Sequence, residues 1–340
     1  MEVGEQSARQ VVLQISDASL AGEARRVAVR LAEEIGMEES DRGAVAIAVT
    51  EMATNIVKHA GTGSIVCEQL GTNGARGIRF LAIDKGPGIR NVSSALEDGY
   101  STAGTSGSGL GAVRRLSTSF DIYSTPNRGT CVMADFWPRK KAHADKNLQL
   151  GVVSIALRGE SVSGDGWFFK TNHNTSWLMV ADGLGHGVYA AEAAREAERV
   201  LAESSSDSPA AIMADVHGAL KKTRGAAAAI TSINRRTGTL SFAGLGNISA
   251  ILATRESSRG LASHNGTVGH QMSRLQEFTF PWSEDSTLIM HSDGLGSRWN
   301  LNDYPGLLNK HPSVIAAVLY RDFSRERDDV TVLVVKNSVH

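Results

Sequence analysis

The sequence has little cysteine, no appreciable net charge and no long apolar run, and each scarcity excludes a class of protein. Its two cysteines, Cys67 and Cys131, cannot form a disulfide framework, and without a Cys-x-x-Cys pair they do not indicate a zinc site. A formal net charge of -1 provides no basic field for nucleic acid or a membrane surface. No apolar run approaches the roughly 18 residues of a membrane helix, and the first residues are not a signal peptide. We expect a cytoplasmic protein with no nucleic-acid or membrane partner.

What is present in excess is glycine. The chain has 35 glycines in 340 residues but only 7 prolines, and it shows no repeats or low complexity. Because a usual glycine share is about 7%, this excess requires an explanation. Glycine permits tight turns and close backbone approach, so the positions where it clusters are candidates for function.

The length predicts two domains, since a domain has roughly 100–200 residues. Residues 138–147 are polar and basic without periodicity, which is typical of a linker, so we expect domains at 1–137 and 148–340. Helical and strand patterns are mixed in both halves and predict a two-domain α/β (α+β) protein. Apolar spacing predicts helices at about 19–35, 41–60, 188–203, 208–223 and 312–323.

Three polar or glycine-rich segments stand in order in the first half. Glu51, Asn55 and His59 are spaced i, i+4, i+8 on a predicted helix, where a carboxylate and an amide oxygen could accept a proton and bind Mg²⁺. A polar helix face is the alternative. Asp84 ends a strand before Gly86 and Gly88, and a glycine-rich stretch opens a helix near residue 112, which is typical of an anion site. The P-loop signature is absent.

Together these segments resemble the N, G1 and G2 boxes of the GHKL ATPase superfamily, over about residues 10–137. They are most similar to the RsbT/RsbW-type serine kinases of bacterial partner-switching modules. The resemblance implies a GHKL (Bergerat) α/β sandwich that binds ATP and Mg²⁺, with Glu51 as base, Asn55 as Mg²⁺ ligand and Asp84 as the adenine-binding carboxylate. It also implies nucleotide contacts from His59, Gly86, Gly88, Gly104, Gly107, Gly109, Leu110, Gly111 and Thr130.

Four aspartates in the second half stand at turns or strand ends: Asp165, Asp182, Asp293 and Asp328. Any one alone is typical of an ordinary turn. Carboxylates that converge repel one another unless cations hold them together. Oxygen ligands without a Cys or His cluster select Mg²⁺ or Mn²⁺, and two such ions can activate a water for attack on phosphorus.

This second pattern resembles the metal-dependent PPM protein phosphatases of the SpoIIE branch, in the compact RsbX-like form, over residues 148–340. The resemblance implies a PPM-type β-sandwich flanked by helices and two Mn²⁺ or Mg²⁺ ions. Asp182 and the Gly183 carbonyl would ligate both ions, and Asp165, Asp293 and Asp328 would complete the site. Asp329 is the alternative to Asp328. His186 could contact a metal-bound water or be a plain loop residue, whereas His291 and both cysteines are predicted to be buried.

The combined resemblance implies a regulator that phosphorylates a STAS-domain antagonist or stressosome-type protein and also dephosphorylates it or a related partner. A downstream regulator phosphatase is a further possible partner. The alternative is that the GHKL half is mainly an ATP-dependent binding or switch module, and that the chain acts only as a phosphatase. An ATP-driven machine of the gyrase or chaperone type is disfavoured, because the phosphatase pattern fills the remaining length.

Overall fold

The computed structural model describes residues 3–6, 10–72, 75–97, 109–138, 148–272 and 275–338. Its strands are β1 Val3–Gln6, β2 Val11–Ile15, β3 Gly63–Thr72, β4 Ala75–Asp84, β5 Ser119–Ser124, β6 Thr130–Phe136, β7 Leu148–Ile155, β8 Asp165–Thr171, β9 Thr175–Gly183, β10 Ala226–Asn234, β11 Thr239–Leu245, β12 Ser249–Ala253, β13 Ser258–Leu261, β14 Phe278–Pro281, β15 Thr287–His291 and β16 Val330–Asn337. Its α-helices are α1 Ala18–Glu34, α2 Glu39–Asn55, α3 Val92–Ala95, α4 Gly109–Leu116, α5 Val188–Glu203, α6 Pro209–Ala219 and α7 Pro312–Phe323. None of these helices is long and apolar enough to span a membrane.

The chain forms two compact units, and each unit contains more than one stretch of the sequence. The N-terminal unit contains Ala8–Asp145 and Asn309–Arg321, and the C-terminal unit contains Met1–Ser7, Lys146–Leu308 and Asp322–His340. The division at 137 and 148 therefore stays a prediction. In the structure, Met1–Ser7 group with the C-terminal unit, and Asn309–Arg321 group with the N-terminal unit. Residues 139–147 of the expected linker lie outside the described residues.

The N-terminal unit is built on a five-stranded antiparallel sheet in the order β2-β3-β4-β6-β5. Helix α1 begins after Asp17, whose side chain accepts hydrogen bonds from the backbone N–H groups of Ser19 and Leu20, and such a cap stabilises a helix start. Alternate residues of the strands, such as Ile65, Phe80 and Ala134, pack against α1, α2 and α4 in one buried core. The predicted apolar stripe of α2, which includes Val45 and Met52, lies in this core, and that prediction is confirmed.

The opposite face of this sheet carries buried polar side chains and is covered by residues 309–321. Arg79 forms a buried ion pair with Asp135 on the neighbouring strand and donates from Nη1 to the Ser313 hydroxyl, at 2.5 Å. Asp121 accepts hydrogen bonds from the Lys310 side chain, at 3.1 Å, and from the His311 backbone, at 2.7 Å. The sheet is therefore enclosed by helices on both faces.

The C-terminal unit is a sandwich of two antiparallel sheets. One has the order β1-β8-β9-β10-β11-β14 and the other β13-β12-β15-β16-β7. Their facing side chains form one core, to which Trp167 and Leu178 contribute from the first sheet and Met290 and Leu333 from the second. Helices α5 and α6 pack on the outer face of the first sheet through a separate buried cluster. The expected mixed α/β two-domain fold, with sheets flanked by helices, is confirmed.

Candidate functional site

The end of α2 and the start of α4 meet in the N-terminal unit. A Cβ atom placed on Gly109, the first residue of α4, would lie 3.0 Å from Glu51 Oε2 and 3.5 Å from the Asn55 amide. The unpaired N–H groups and the dipole at a helix start favour an anion. The structure therefore brings Glu51 and Asn55 next to the first described residue of α4.

The helical spacing changes just after Asn55. Residues Ile56–Ala60 form a π-helical turn, so the predicted α-helix to residue 60 ends at Asn55. Such turns occur frequently at functional sites. His59 lies in this turn and is exposed.

Asp84 stands at the end of β4 and is held by the backbone. Its Oδ1 accepts hydrogen bonds from the N–H groups of Gly86, at 2.8 Å, and Thr130, at 3.2 Å. Burial raises the pKa of Asp84 above its ordinary value, while these two bonds and the charge of Arg321 oppose the rise. A partly desolvated carboxylate oriented in this way can accept a hydrogen bond from the amino group of a purine.

The loop after Asp84 is fastened to the β5–β6 turn. Ser124 accepts a hydrogen bond from the Ile89 backbone, at 2.8 Å, and its hydroxyl lies 2.8 Å from the Thr130 hydroxyl. Gly129 has a left-handed φ of +80°, and a Cβ there would lie 2.0 Å from the Asp84 carbonyl oxygen. Only glycine fits this close approach, so the two segments can meet only because residue 129 lacks a side chain.

The other predicted nucleotide-binding residues are divided between described and undescribed parts of the chain. Gly88 lies against the β5–β6 turn, Leu110 packs on the core, and Gly111 is buried in α4. Gly104 and Gly107 lie outside the described residues.

Four aspartates face one another in the C-terminal unit. Asp165 and Asp182 are direct partners across β8 and β9. Burial, followed by the negative charge of Asp182, raises the pKa of Asp165 well above its ordinary value. Burial, followed by the charges of Asp293 and Asp328, raises the pKa of Asp182 to about 7. These are the effects expected of carboxylates held together without a cation.

The two aspartates before β16 have different surroundings. Asp329 is buried, and its two oxygens accept hydrogen bonds from the N–H groups of Leu157 and Gly164, each at 2.8 Å. Asp328 is exposed, and burial, together with the charge of Asp293, raises its pKa. Asp329 therefore holds two backbone segments in place, whereas the exposed Asp328 carboxylate accepts a hydrogen bond from the adjacent Asp329 N–H, at 2.9 Å.

The donor set fits hard divalent cations. The cluster supplies carboxylate oxygens, and repulsion among its members is the property that Mg²⁺ or Mn²⁺ would relieve. The turn that would supply the Gly183 carbonyl is tightly packed, since a Cβ on Gly183 would lie 2.1 Å from the Ala190 carbonyl oxygen. In the described ranges, no three His, Cys, Asp or Glu side chains already stand at the separation of a formed metal site.

Side chains around the cluster include residues that the sequence did not single out. Asn247 donates to Asp293 Oδ2, at 2.7 Å, and Ser292 donates to Asp165 Oδ2, at 2.6 Å. Asn247 follows Gly246 at a turn before β12, and nothing in its local pattern distinguishes it from other turn residues. His186 Nδ1 lies 2.6 Å from Glu160 Oε1.

The remaining candidates are structural. His291 is buried, its Nδ1 lies 2.8 Å from the Ser292 carbonyl oxygen, and burial lowers its pKa. Both Cys67 and Cys131 are buried, and burial raises the pKa of Cys67 to about 12. The predictions that these three residues are buried are confirmed.

The two units combine the fold of a GHKL-type ATPase domain with that of a PPM-type domain. Residues 15–136 match the histidine kinase-like ATPase domain family, and residues 172–338 match the stage II sporulation protein E (SpoIIE) family. The chain belongs to the histidine kinase-like ATPase family through its first half, and its second half is similar to the SpoIIE family.

Two relatives from Bacillus subtilis (strain 168) correspond to the two halves. The serine/threonine-protein kinase RsbT is 38% identical over 116 residues, which cover 34% of this chain and 87% of RsbT. The phosphoserine phosphatase RsbX is 28% identical over 193 residues, which cover 56% of this chain and 94% of RsbX. A crystal structure of RsbX in complex with magnesium superposes with a TM-score of 0.52 and 25% identity, covering 58% of this chain and 99% of that one.

Proposed function

We propose that this chain is a bifunctional partner-switching regulator. Its N-terminal unit phosphorylates a serine or threonine on a STAS-domain protein with ATP, and its C-terminal unit removes phosphate from the same or a related partner. The observation that carries the proposal is the carboxylate cluster of Asp165, Asp182, Asp293 and Asp328, in a chain that also places Glu51 and Asn55 against the start of α4. The likeness of each half to RsbT or RsbX supports both activities.

In the N-terminal unit each residue has a distinct task. Asp84 accepts a hydrogen bond from the adenine amino group, and the start of α4 at Gly109 receives the phosphates. Asn55 would hold Mg²⁺, which neutralises phosphate charge when bound. Glu51 accepts the proton of the substrate hydroxyl. Phosphoryl transfer depends chiefly on positioning and charge neutralisation, so these contacts provide most of what the reaction needs.

In the C-terminal unit the four carboxylates would hold two Mn²⁺ or Mg²⁺ ions, with Asp182 and the Gly183 carbonyl among the ligands. When bound, the ions supply positive charge and a nucleophilic water for hydrolysis of a phosphoserine or phosphothreonine. Ser292 orients Asp165, and Asn247 orients Asp293, through the hydrogen bonds described above. Asp329 positions the chain segments that present the cluster.

A phosphotransfer assay tests both activities. The full chain is incubated with labelled ATP and candidate STAS-domain proteins, with Mg²⁺ or Mn²⁺ supplied separately. We expect Glu51→Ala to abolish labelling of the partner and Asp182→Asn to slow removal of the label. The exposed residue Asp285 provides a control. We expect Asp285→Asn to leave the rates of partner labelling and of label removal unchanged. Labelling that persists in Glu51→Ala would contradict the kinase assignment, and label removal that persists at full rate in Asp182→Asn would contradict the phosphatase assignment.

A second candidate function is that ATP acts as a conformational ligand for the phosphatase. Residues 309–321 lie inside the SpoIIE match, yet they belong to the N-terminal unit, and the charge of Arg321 opposes the rise that burial causes in the pKa of Asp84. Opposed activities on one site would also waste ATP. The discriminating experiment measures phosphatase rates of Glu51→Ala with and without a non-hydrolysable ATP analogue. A rate change without labelling of the partner supports the switch, and an unchanged rate opposes it.

A further inference from the structure

A basic residue stands beside the turn that follows Asp182. The β9–β10 ladder pairs Asp182 with Ala227 and Gly183 with Ala226, and the Leu184 N–H extends it by donating to the Gly225 carbonyl, at 3.0 Å. Arg224 directly precedes this ladder and is exposed. A Cβ on Gly185 would lie 3.1 Å from Arg224 Nη1, so the guanidinium lies against the turn 183–187.

The direction of the Arg224 side chain is set by an aromatic ring. Its guanidinium carbon lies 4.9 Å from the ring centroid of Tyr189, which is a cation–π contact. In the part of the chain that the structure describes, Arg224 pairs with no carboxylate. Its donors are therefore available to a ligand, and guanidinium geometry matches the oxygens of a phosphate.

The same turn is the most apolar exposed part of the described chain. Four large apolar side chains are exposed in the described residues, namely Ile47, Leu184, Val188 and Tyr189, and the last three lie within residues 184–189. Apolar side chains that gather on a surface beside polar groups mark sites of interaction with another protein.

Charge identifies the occupant. A phosphorylated side chain is anionic, and a cation beside the turn 183–187 attracts it even where metal ions offset the charge of the four carboxylates. Arg224 provides that cation, and Lys221 and Lys222 add two exposed positive charges just before it. The chemistry that fits is a phosphorylated side chain in a peptide segment with apolar neighbours.

Building on the proposed phosphatase function, we propose that Arg224 binds the phosphate of the protein substrate, and that Leu184, Val188 and Tyr189 contact the residues that flank the phosphoserine or phosphothreonine. Arg224 is thus a substrate-binding residue, and the apolar side chains distinguish a phosphoprotein from a small phosphate ester.

Kinetics of the full chain with two substrates test this proposal. The substrates are p-nitrophenyl phosphate and a short phosphoserine peptide with leucine and valine beside the phosphoserine. We expect Arg224→Ala to raise KM about tenfold for both substrates with little change in kcat, because it removes one charged contact to the phosphate. Arg224→Lys should restore part of the affinity. Val188→Ser should raise KM for the peptide only.

Arg259 provides a matched control, because its guanidinium carbon also lies 4.9 Å from an aromatic ring, that of Phe280. Arg259→Ala should leave both KM values unchanged. In a second readout, anisotropy is measured with Mn²⁺ present for a fluorescein-labelled peptide that carries a non-hydrolysable phosphonate in place of the phosphate, so that binding is observed without turnover. Weaker binding by Arg224→Ala than by Arg259→Ala supports the proposal, and equal binding opposes it.

The outcomes separate this inference from the proposed function. If the wild-type chain hydrolyses neither substrate with Mn²⁺ or Mg²⁺ and removes no label from a phosphorylated STAS-domain protein, the phosphatase function itself is wrong. If the wild-type chain is active and Arg224→Ala has the KM of Arg259→Ala for both substrates, only the role of Arg224 is overturned. If Arg224→Ala raises KM for p-nitrophenyl phosphate but Val188→Ser has the wild-type KM for the peptide, the proposed apolar contact is overturned. The contact between Arg224 and the phosphate then stands.

Discussion

Arg79 and Asp135 form a two-point ion pair on the face of the N-terminal sheet that residues 309–321 cover. The Nε–Oδ1 and Nη2–Oδ2 distances are both 2.7 Å, and both side chains are buried. Removal of one partner leaves the other charge buried without compensation. We expect Arg79→Met to lower the free energy of unfolding of this unit by about 3–5 kcal/mol. Hydrogen exchange of β4 and β6 in the full chain measures this loss.

The control for this prediction is a pair at the surface. Arg42 Nη1 lies 3.2 Å from Glu33 Oε1, and Glu33 is largely exposed. Exposed pairs contribute about 0–1 kcal/mol, so Arg42→Met should change hydrogen exchange little. Equal effects of the two substitutions would show that burial of the Arg79–Asp135 pair does not determine its contribution.

Glu68 predicts how stability depends on pH. Burial raises its pKa from 4.5 to about 7, although the charge of Arg79 opposes the rise. Because the folded pKa lies above the unfolded value, the protonated form favours folding. The contribution of Glu68 to the free energy of unfolding is therefore greatest below pH 4.5, and it falls as the pH rises to about 7. The size of the loss is on the order of 3 kcal/mol.

The measurement compares denaturant midpoints of the wild type and Glu68→Gln at several values between pH 5 and 8. The neutral amide removes the titration, so the midpoint of the variant should fall less over this range. Glu23 is exposed on α1, and Glu23→Gln should retain the wild-type pH profile. A Glu68→Gln profile with the wild-type slope would contradict the raised pKa.

Local sequence patterns predicted the regular elements well and the tertiary contacts poorly. The apolar spacing at 188–203 and 312–323 predicted α5 and α7 with the bounds that the structure shows. The same spacing extended α2 to residue 60, because a π turn keeps Ile56 buried and so leaves the apolar pattern unchanged. Periodicity reports which face is buried and not which carbonyl a backbone N–H binds.

Contacts between distant segments carry no local signal. The pairing of β1 with β8 and the packing of residues 309–321 in the N-terminal unit join parts of the chain that are far apart in sequence. The same holds for Arg224 beside Gly185, whose contact depends on the β9–β10 register. The aspartates could be selected from sequence because they stand at turns after apolar runs, but their mutual effect on pKa required the fold.

Gly129 provides a test of how closely the Asp84 loop must approach the β5–β6 turn. Alanine there meets both a left-handed φ of +80° and the Asp84 carbonyl oxygen. Gly36 has a similar φ of +78°, but a Cβ on it would meet nothing within 4 Å. We expect Gly36→Ala to cost about 1 kcal/mol from backbone strain alone. Gly129→Ala should cost more and weaken binding of a fluorescent ATP analogue, because it displaces Asp84. Equal ATP affinity in the two variants would contradict this coupling.

Asp328 and Asp329 are neighbours, but we expect asparagine at the two positions to affect stability differently. Asparagine at position 329 keeps one acceptor oxygen, so Asp329→Asn loses one of the two hydrogen bonds to Leu157 and Gly164. We expect a loss of about 1–3 kcal/mol in stability without added metal. Asp328→Asn removes a charge that raises the pKa of Asp182, so stability without metal should be unchanged or slightly higher.

Melting temperatures of the full chain with and without Mn²⁺ distinguish the two aspartates. An ion that binds only the folded protein raises its stability according to concentration and affinity. We expect Mn²⁺ to raise the melting temperature of the wild type and of Asp329→Asn, and to raise that of Asp328→Asn much less. The reverse pattern, with the Mn²⁺ response lost in Asp329→Asn and retained in Asp328→Asn, would make Asp329 the ligand. The buried carboxylate would then have to exchange its backbone hydrogen bonds for the metal.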